Sequence, residues 1–294
     1  MVKYVLIRDD DVNFFTSPDM LDKIYTEIFY IGIPVNLSII PCVKSNIKIK
    51  NNPYSKLNEL KYEPFIPSKY QSENLYFPVY ANRQLSEFLE NVKEHVEIIQ
   101  HGFSHAPTEF SSLNALELER KIINGRKILK QAFNASPRFF SAPYDEYSPL
   151  FFSLLKKHFY GVTYGEFTLR NMLCLRYGTK IPLDMVPHYL NAVKRGAEFF
   201  ISGNFLVLGH GGASINPFIE IDKFKREFKE NFERQKILTL MHHHWEYFYF
   251  KEQGCIRNSI NKKLFDTFVE TIQWLKEKEV KFLKVSQLYN KLRA

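Results

Sequence analysis

The chain is poor in cysteine: Cys42, Cys174 and Cys255 are its only three, far apart and in no C-x-x-C pair. So odd and sparse a set argues against a disulfide framework and suits a reducing compartment. No run of about 18 apolar residues is present, so no membrane-spanning helix is expected. The opening stretch MVKYVLIRDDD meets three acids too soon for the apolar core of a signal peptide and offers no small-residue cleavage site. A soluble, cytoplasmic protein is the expectation. Dense basic runs are missing too. The 40 basic and 32 acidic side chains give a formal charge of +8, but the lysines are interleaved with acids, as in KEHVE and WLKEKEVK. With no zinc-finger or RNA-recognition signature either, nucleic-acid binding has little to rest on. The excess charge suits a nucleotide- or phosphate-linked substrate, and an ordinary solvated surface explains it equally well.

Aromatic residues are abundant: 27 Phe and 17 Tyr help to bring the aromatic share to 16%. Such rings can line a sugar groove, though an aromatic-rich core is the commoner use. The apolar fraction of 45% in 294 residues supports one sizeable core.

Along the chain, short apolar runs alternate with amphipathic stretches. KYVLIR, IPVNLSIIP, HVEIIQHG, RFFSAPY, YGVTYG, NFLVLGHGG and KILTLMHHH read as strands. SPDMLDKIYTEIFYIG, LNALELERKIINGRKILKQAF, IEIDKFKREFKENFERQK and NKKLFDTFVETIQWLKEKE read as helices. Ser17 is placed to cap the first helix, with Pro18 at its first position and Gly32 at its end. Strand–helix alternation implies a parallel sheet covered by helices. About seven such units, without glycine-rich phosphate fingerprints, suit a single (β/α) barrel spanning residues 1–294 better than an open doubly wound sheet. A segment from about residue 44 to 80, rich in Asn, Lys, Pro and Tyr, breaks the rhythm and reads as an excursion at the barrel mouth.

Four of the apolar runs end in ligand-type residues: VLIR-DDD, EIIQ-HGFSH, LVLG-HGG and LTLM-HHHWE. In a parallel barrel all the carboxyl ends share one face, so these residues converge. Three adjacent carboxylates, Asp9, Asp10 and Asp11, repel one another and call for a counter-charge such as a cation or Arg8, although acids also gather before helix N-termini. His101 and His105, four apart on a helix or a tight turn, bring two imidazoles to one side. With a carboxylate from DDD they make a two-His, one-carboxylate metal site. The ligand set does not by itself choose between zinc and other divalent ions; zinc is the first expectation, with nickel, cobalt, iron or manganese as other choices. His242, directly after its strand, is the preferred catalytic imidazole. His243 or His244 remain open for the role, because successive residues of an extended chain face opposite ways. His210 has equal claims as a ligand-side residue and as part of an ordinary glycine loop. His95, His158 and His188 read as structural or surface residues.

DDD after the first strand, HGFSH after the third and a late strand-terminal histidine resemble the polysaccharide deacetylase (NodB-homology) superfamily, over roughly Val5 to His244. The resemblance implies a distorted (β/α) barrel of about seven parallel strands and a metal-dependent hydrolase that removes N-acetyl or O-acetyl groups from sugars. By the same resemblance Asp10 would be the general base, and Asp11, His101 and His105 the ligands of one divalent ion. FFSAPYDE matches the family's third motif, with Pro143 at its proline and the Tyr144 amide as oxyanion donor. Ser141 stands where that motif has an arginine, and Arg8 is the candidate substitute. The family's Asp/Trp motif finds no clear match. In the expected mechanism Asp10 takes a proton from water and His242 gives one to the departing amine. The expected substrate is an acetylated sugar, such as a nucleotide- or phosphate-linked precursor of surface polysaccharide. Two alternatives stay open: hydrolysis of a small cyclic amide or ureide, and a non-catalytic carbohydrate-binding barrel.

Overall fold

The seven apolar runs read as strands form the strands of one curled sheet. The computed structural model describes residues 3–49, 61–174, 178–210, 214–218, 220–250 and 255–294. Its main strands are β1 (Tyr4–Val12), β2 (Val35–Ile39), β3 (Val96–His101), β4 (Phe139–Ser141), β5 (Gly161–Thr163), β6 (Phe199–Ser202), β7 (Phe205–Leu208), β8 (Ser214–Ile215), β9 (Ile237–His243) and β10 (Lys281–Phe282). The sheet runs β6-β7-β5-β4-β3-β2-β1-β9-β8, with β10 on the start of β1. All pairings are parallel except that of β6 with β7. Helices return the chain between strands: α1 (Pro18–Tyr30), α2 (Arg83–Asn91), α3 (Ala115–Phe133), α4 (Pro149–His158), α5 (Val186–Arg195), α6 (Ile221–Arg234), α7 (Lys262–Glu277) and α8 (Val285–Arg293). This is a distorted, incompletely closed (β/α) barrel.

Local chemistry starts and stops these helices. Asn82, Asn114, Ser148 and Asn261 each accept a first-turn backbone N–H with their side chain. Ser17 precedes α1 as expected, but its side chain makes no cap hydrogen bond; Pro18 opens the helix and Gly32, at φ +75°, follows its end. In α6 the buried residues are Phe224, Phe228 and Phe232, one stripe at four-residue spacing.

The two faces of each strand enter different cores. On β1, Val5 and Ile7 pack under the helices, with Val35, Leu37 and Ile39 of β2 and Leu238 and Leu240 of β9. Leu6 points into the barrel instead, among Ile99, Phe139, Leu206, Leu208 and Ile237, where Val285, Leu288 and Tyr289 at the start and middle of α8 complete the cluster. The inward positions of β1 therefore run Leu6, Arg8, Asp10, and those of β9 run Ile237, Thr239, Met241, His243. Apolar residues fill the amino end of the interior and polar ones collect at the carboxyl end. That division positions the site.

The excursion is seated at this mouth. Cys42–Lys44 pairs antiparallel with Tyr76–Pro78, and a 3-10 turn covers Ser68–Tyr70. Phe77 stacks on Phe14 with ring centroids 5.1 Å apart and Phe15 stacks on Tyr70 at 5.7 Å, tying the segment to the loop after β1. The part of the excursion at 50–60, and the last two glycines of the GHGG stretch (Gly211 and Gly212), lie outside the described residues.

Candidate metal centre

The three aspartates at the end of β1 go to three different places. Alternation sends Asp9 to the helix side and Asp10 to the interior, and would send Asp11 back to the helix side. It does not go there. The register with β2 slips between Asp9↔Leu37 and Val12↔Ile39, and Asp11 takes a left-handed backbone, φ 67°. One extra residue, a bulge, re-aims this side chain into the interior beside Asp10.

Asp11 there meets the two histidines. His101 is the last residue of β3, with the same inward orientation as Ile99. His105 is not on a helix; it sits in a turn, itself at φ 62°, after Gly102 at φ +59°. Glu109 ties that turn: its carboxylate accepts from the Phe103 amide (2.8 Å), the Ser104 amide (2.9 Å) and the Ser104 hydroxyl (2.7 Å). Asp11 Oδ1 lies 3.2 Å from His101 Nε2 and 2.9 Å from His105 Nε2, within hydrogen-bonding reach of both imidazoles. One donor atom from each residue falls within 4.8 Å of the others, and all three residues are buried. Two imidazole nitrogens and a carboxylate oxygen at this spacing fit a divalent ion with positions left open. Trp245 Nε1–H donates to the other oxygen of Asp11 at 3.2 Å and fixes the carboxylate's orientation.

Asp10 is held separately. Burial disfavours its charge, but the Arg8 guanidinium, 2.7 Å from Oδ2, with His101 and His243 nearby, holds the carboxyl down at about 2. A hydrogen bond from the Ser38 side chain also favours its charged form. Ser141 is buried with its hydroxyl unpartnered. Burial disfavours the charge on Asp11 as well, and His105 and His243 more than offset this, leaving its pKa well below the usual range. For His105 the same contest ends at about 9: burial lowers it, and the Asp11 carboxylate raises it further.

Of the three strand-end histidines, the structure brings His243 to this centre and not His242. His242 points to the helix side, packed on Phe268 (4.8 Å between ring centroids) and Tyr247 (5.4 Å), and burial pushes its pKa down to about 4. His244 is fully buried with Asp9 and Thr16. His243 lines the cavity, with Nε2 3.6 Å from Asp11 Oδ2 and Nδ1 3.0 Å from Glu246 Oε1. The His243 amide also donates to Glu246 Oε2 at 3.2 Å. Trp245 and Glu246 were missed in the sequence, although they follow directly on HHH; a turn of 3-10 helix over His244–Phe248 folds them back to the site.

The open cavity above these groups has a volume of about 470 Å³ and is lined by Asp10, Asp11, His101, His105 and His243, and by Tyr144 and Glu63 on its walls. Tyr144 has φ 57° and ψ 18°. Its ring packs on His105 at 4.9 Å and its hydroxyl donates to Glu63, a residue of the excursion that no sequence signal marked. Burial raises the Glu63 carboxyl to about 7. His210 reaches the same cavity, 3.5 Å from Asp145.

No protein-family profile matches the sequence, and no curated protein matches it. Solved structures do. A mutant of a CE4 family pseudoenzyme from Bacillus anthracis, with restored enzymatic activity, is 10% identical (98% of this chain and 68% of that one, TM-score 0.53). The Xyl-CE4 domain of a multidomain xylanase from the hindgut metagenome of Trinervitermes trinervoides is 12% identical, over 100% of this chain and 93% of that one (TM-score 0.50). A polysaccharide deacetylase, so described, from Mycobacterium smegmatis is 10% identical, over 100% and 91% (TM-score 0.50). The chain has the fold of the CE4 polysaccharide deacetylases, as a divergent example of it. Among the described residues no helix is long and apolar enough to cross a membrane.

Proposed function

We propose that this chain is a divalent-metal-dependent hydrolase that removes an acetyl group from an N- or O-acetylated sugar. One observation carries this reading. Asp11, His101 and His105, all buried, bring one donor atom each to within 4.8 Å of one another, in the lining of an open cavity. The fold, shared with deacetylases, supports it by analogy.

Asp11, His101 and His105 would hold the ion, which when bound acidifies water and polarises a carbonyl. Asp10, on the cavity lining and kept ionised by Arg8 at Oδ2, is the base that takes a proton from the attacking water. His243 takes the place expected of His242. Glu246 holds its Nδ1 side, and its Nε2 gives a proton to the departing amine or alcohol. The Tyr144 amide, at a left-handed residue on the cavity wall, donates to the developing oxyanion.

Metal content of the purified protein and of His101→Ala/His105→Ala, followed by acetate release from a panel of N- and O-acetylated sugars, tests the reading. Near-stoichiometric divalent metal, lost in the double variant, with acetate released only by the loaded wild type, is the expected result. Loaded protein that binds sugars without turnover would make it a carbohydrate-binding barrel, and turnover of small cyclic amides alone would change the substrate class.

A further inference from the structure

The mechanism above leaves one buried ionisable group on the cavity wall without a task. Glu63 is 2% exposed and comes from the excursion, not from the barrel. Its backbone is fixed at both ends: its amide donates to the Ile47 carbonyl (3.1 Å), and its carbonyl accepts from the Ile66 amide (3.1 Å). Two residues on, Phe65 packs edge-on to His105 (5.5 Å) and against Trp245 (6.0 Å), so the segment is anchored on the metal-centre side chains. A carboxyl delivered so rigidly, with Oε1 taken by the Tyr144 hydroxyl, acts on Tyr144.

Tyr144 needs such a hold. It and Asp145 are consecutive non-glycine residues at positive φ, 57° and 52°. Left-handed backbone is unfavourable for an L-residue and persists where surrounding contacts over-determine it. Its own backbone helps: the Asp145 amide donates to Ala142 (3.1 Å) and the Glu146 amide to Pro143 (3.2 Å). Its side chain is held by the His105 ring and by Glu63.

We infer that Glu63 is a positioning residue. By anchoring the Tyr144 hydroxyl it keeps residue 144 left-handed, and so keeps the Tyr144 N–H aimed at the oxyanion. This rests on the deacetylase reading for its chemistry, but not for its structural half. The excursion therefore contributes to turnover without touching the reacting atoms.

The test pairs kinetics with structure on metal-loaded protein, using Glu63→Ala, Glu63→Gln, Tyr144→Phe and Glu63→Ala/Tyr144→Phe. Glu63→Ala and Tyr144→Phe are expected each to lower kcat about ten- to a hundredfold, with KM and metal content nearly unchanged. The double variant should be no worse than either single one, and Glu63→Gln, which keeps an acceptor oxygen, should restore most of kcat. Crystal structures of the two single variants should show residue 144 leaving the left-handed region. Additive losses, a Tyr144→Phe enzyme as fast as wild type, or residue 144 unmoved in both variants would each overturn the inference. Should the wild type release no acetate, the deacetylase reading falls and the crystal structures alone decide whether Glu63 holds residue 144.

Discussion

Two polar clusters lie back to back across the β1–β9 ladder, built from the same residue types. On the interior side stand Asp10, Asp11 and His243, with His101 and His105. On the helix side stand Asp9, His242 and His244, with Tyr25 and Thr16. There Tyr25 donates to Asp9 Oδ2 (2.8 Å), the His244 amide donates to Oδ1 (2.8 Å), and His244 Nδ1 lies 3.1 Å from the same oxygen. His244 Nε2 pairs with Thr16 Oγ1 at 3.0 Å, and His242 Nε2 with the Tyr25 hydroxyl at 3.2 Å. Register puts Asp9 opposite His242 and Asp10 opposite His243. One step along a strand thus separates a sealed cluster, whose aspartate has both oxygens engaged, from one whose carboxylates and imidazoles line an open cavity. Buried polar groups that are paired contribute to stability and specificity of the fold; buried ones left aimed at an open cavity are suited to a ligand.

The comparison predicts a clean split, and the largest effect belongs to the open side. Asp11→Asn or His101→Ala should abolish stoichiometric metal binding and lower kcat/KM by at least about a thousandfold, read by elemental analysis beside acetate release. Chelation of the wild type should do the same and be reversed by adding the ion back. Asp10→Asn is next: metal retained, kcat lower by about 10²–10⁴, the size of a lost general base. His243→Ala should fall in the same range while His242→Ala leaves kcat within about threefold; the reverse order would return the proton-donor role to His242.

Stability should move on the other side. Tyr25→Phe removes the hydroxyl shared by Asp9 and His242 and is expected to cost about 1–3 kcal/mol in urea unfolding, with metal content unchanged. His242 also gives that side a pH dependence. Its folded pKa, about 4, lies below the ordinary 6.5, so the unfolded chain binds the proton more readily. The contribution of His242 is therefore full above pH 6.5 and lost as pH falls from 6.5 toward 4, by up to about 3 kcal/mol, while Glu63, raised to about 7, works the opposite way as pH rises from 4.5 to 7. Asp10, held at about 2, adds a further loss only below pH 4. The midpoint of urea unfolding against pH, for wild type and His242→Gln, reads this directly, and an unchanged slope between pH 6.5 and 4 in the variant would assign the dependence elsewhere.

Much of this was legible in the chain. Alternating apolar runs and amphipathic stretches implied a helix-covered parallel sheet, because burial on both faces of a parallel strand demands near-continuous apolar residues. Ligand-type residues at four strand ends implied a site at the carboxyl mouth. Which strand-end residue faces the mouth was not legible, for the same reason: with both faces of β9 apolar, ILTLMHHH carries no mark of its inward parity. Only the packing of Ile237 with Leu6 and Ile99 fixes that parity, and it selects His243.

The residue types, their order and their collection at strand ends are properties of the sequence, set by local propensity and hydrophobic period. Two things were decided by tertiary structure alone. A bulge turns Asp11 inward, and Glu63 arrives from a segment with no pattern to announce it. Each depends on contacts between residues distant in the chain or on a backbone twist held by neighbouring strands. Neither leaves a periodic trace in the sequence.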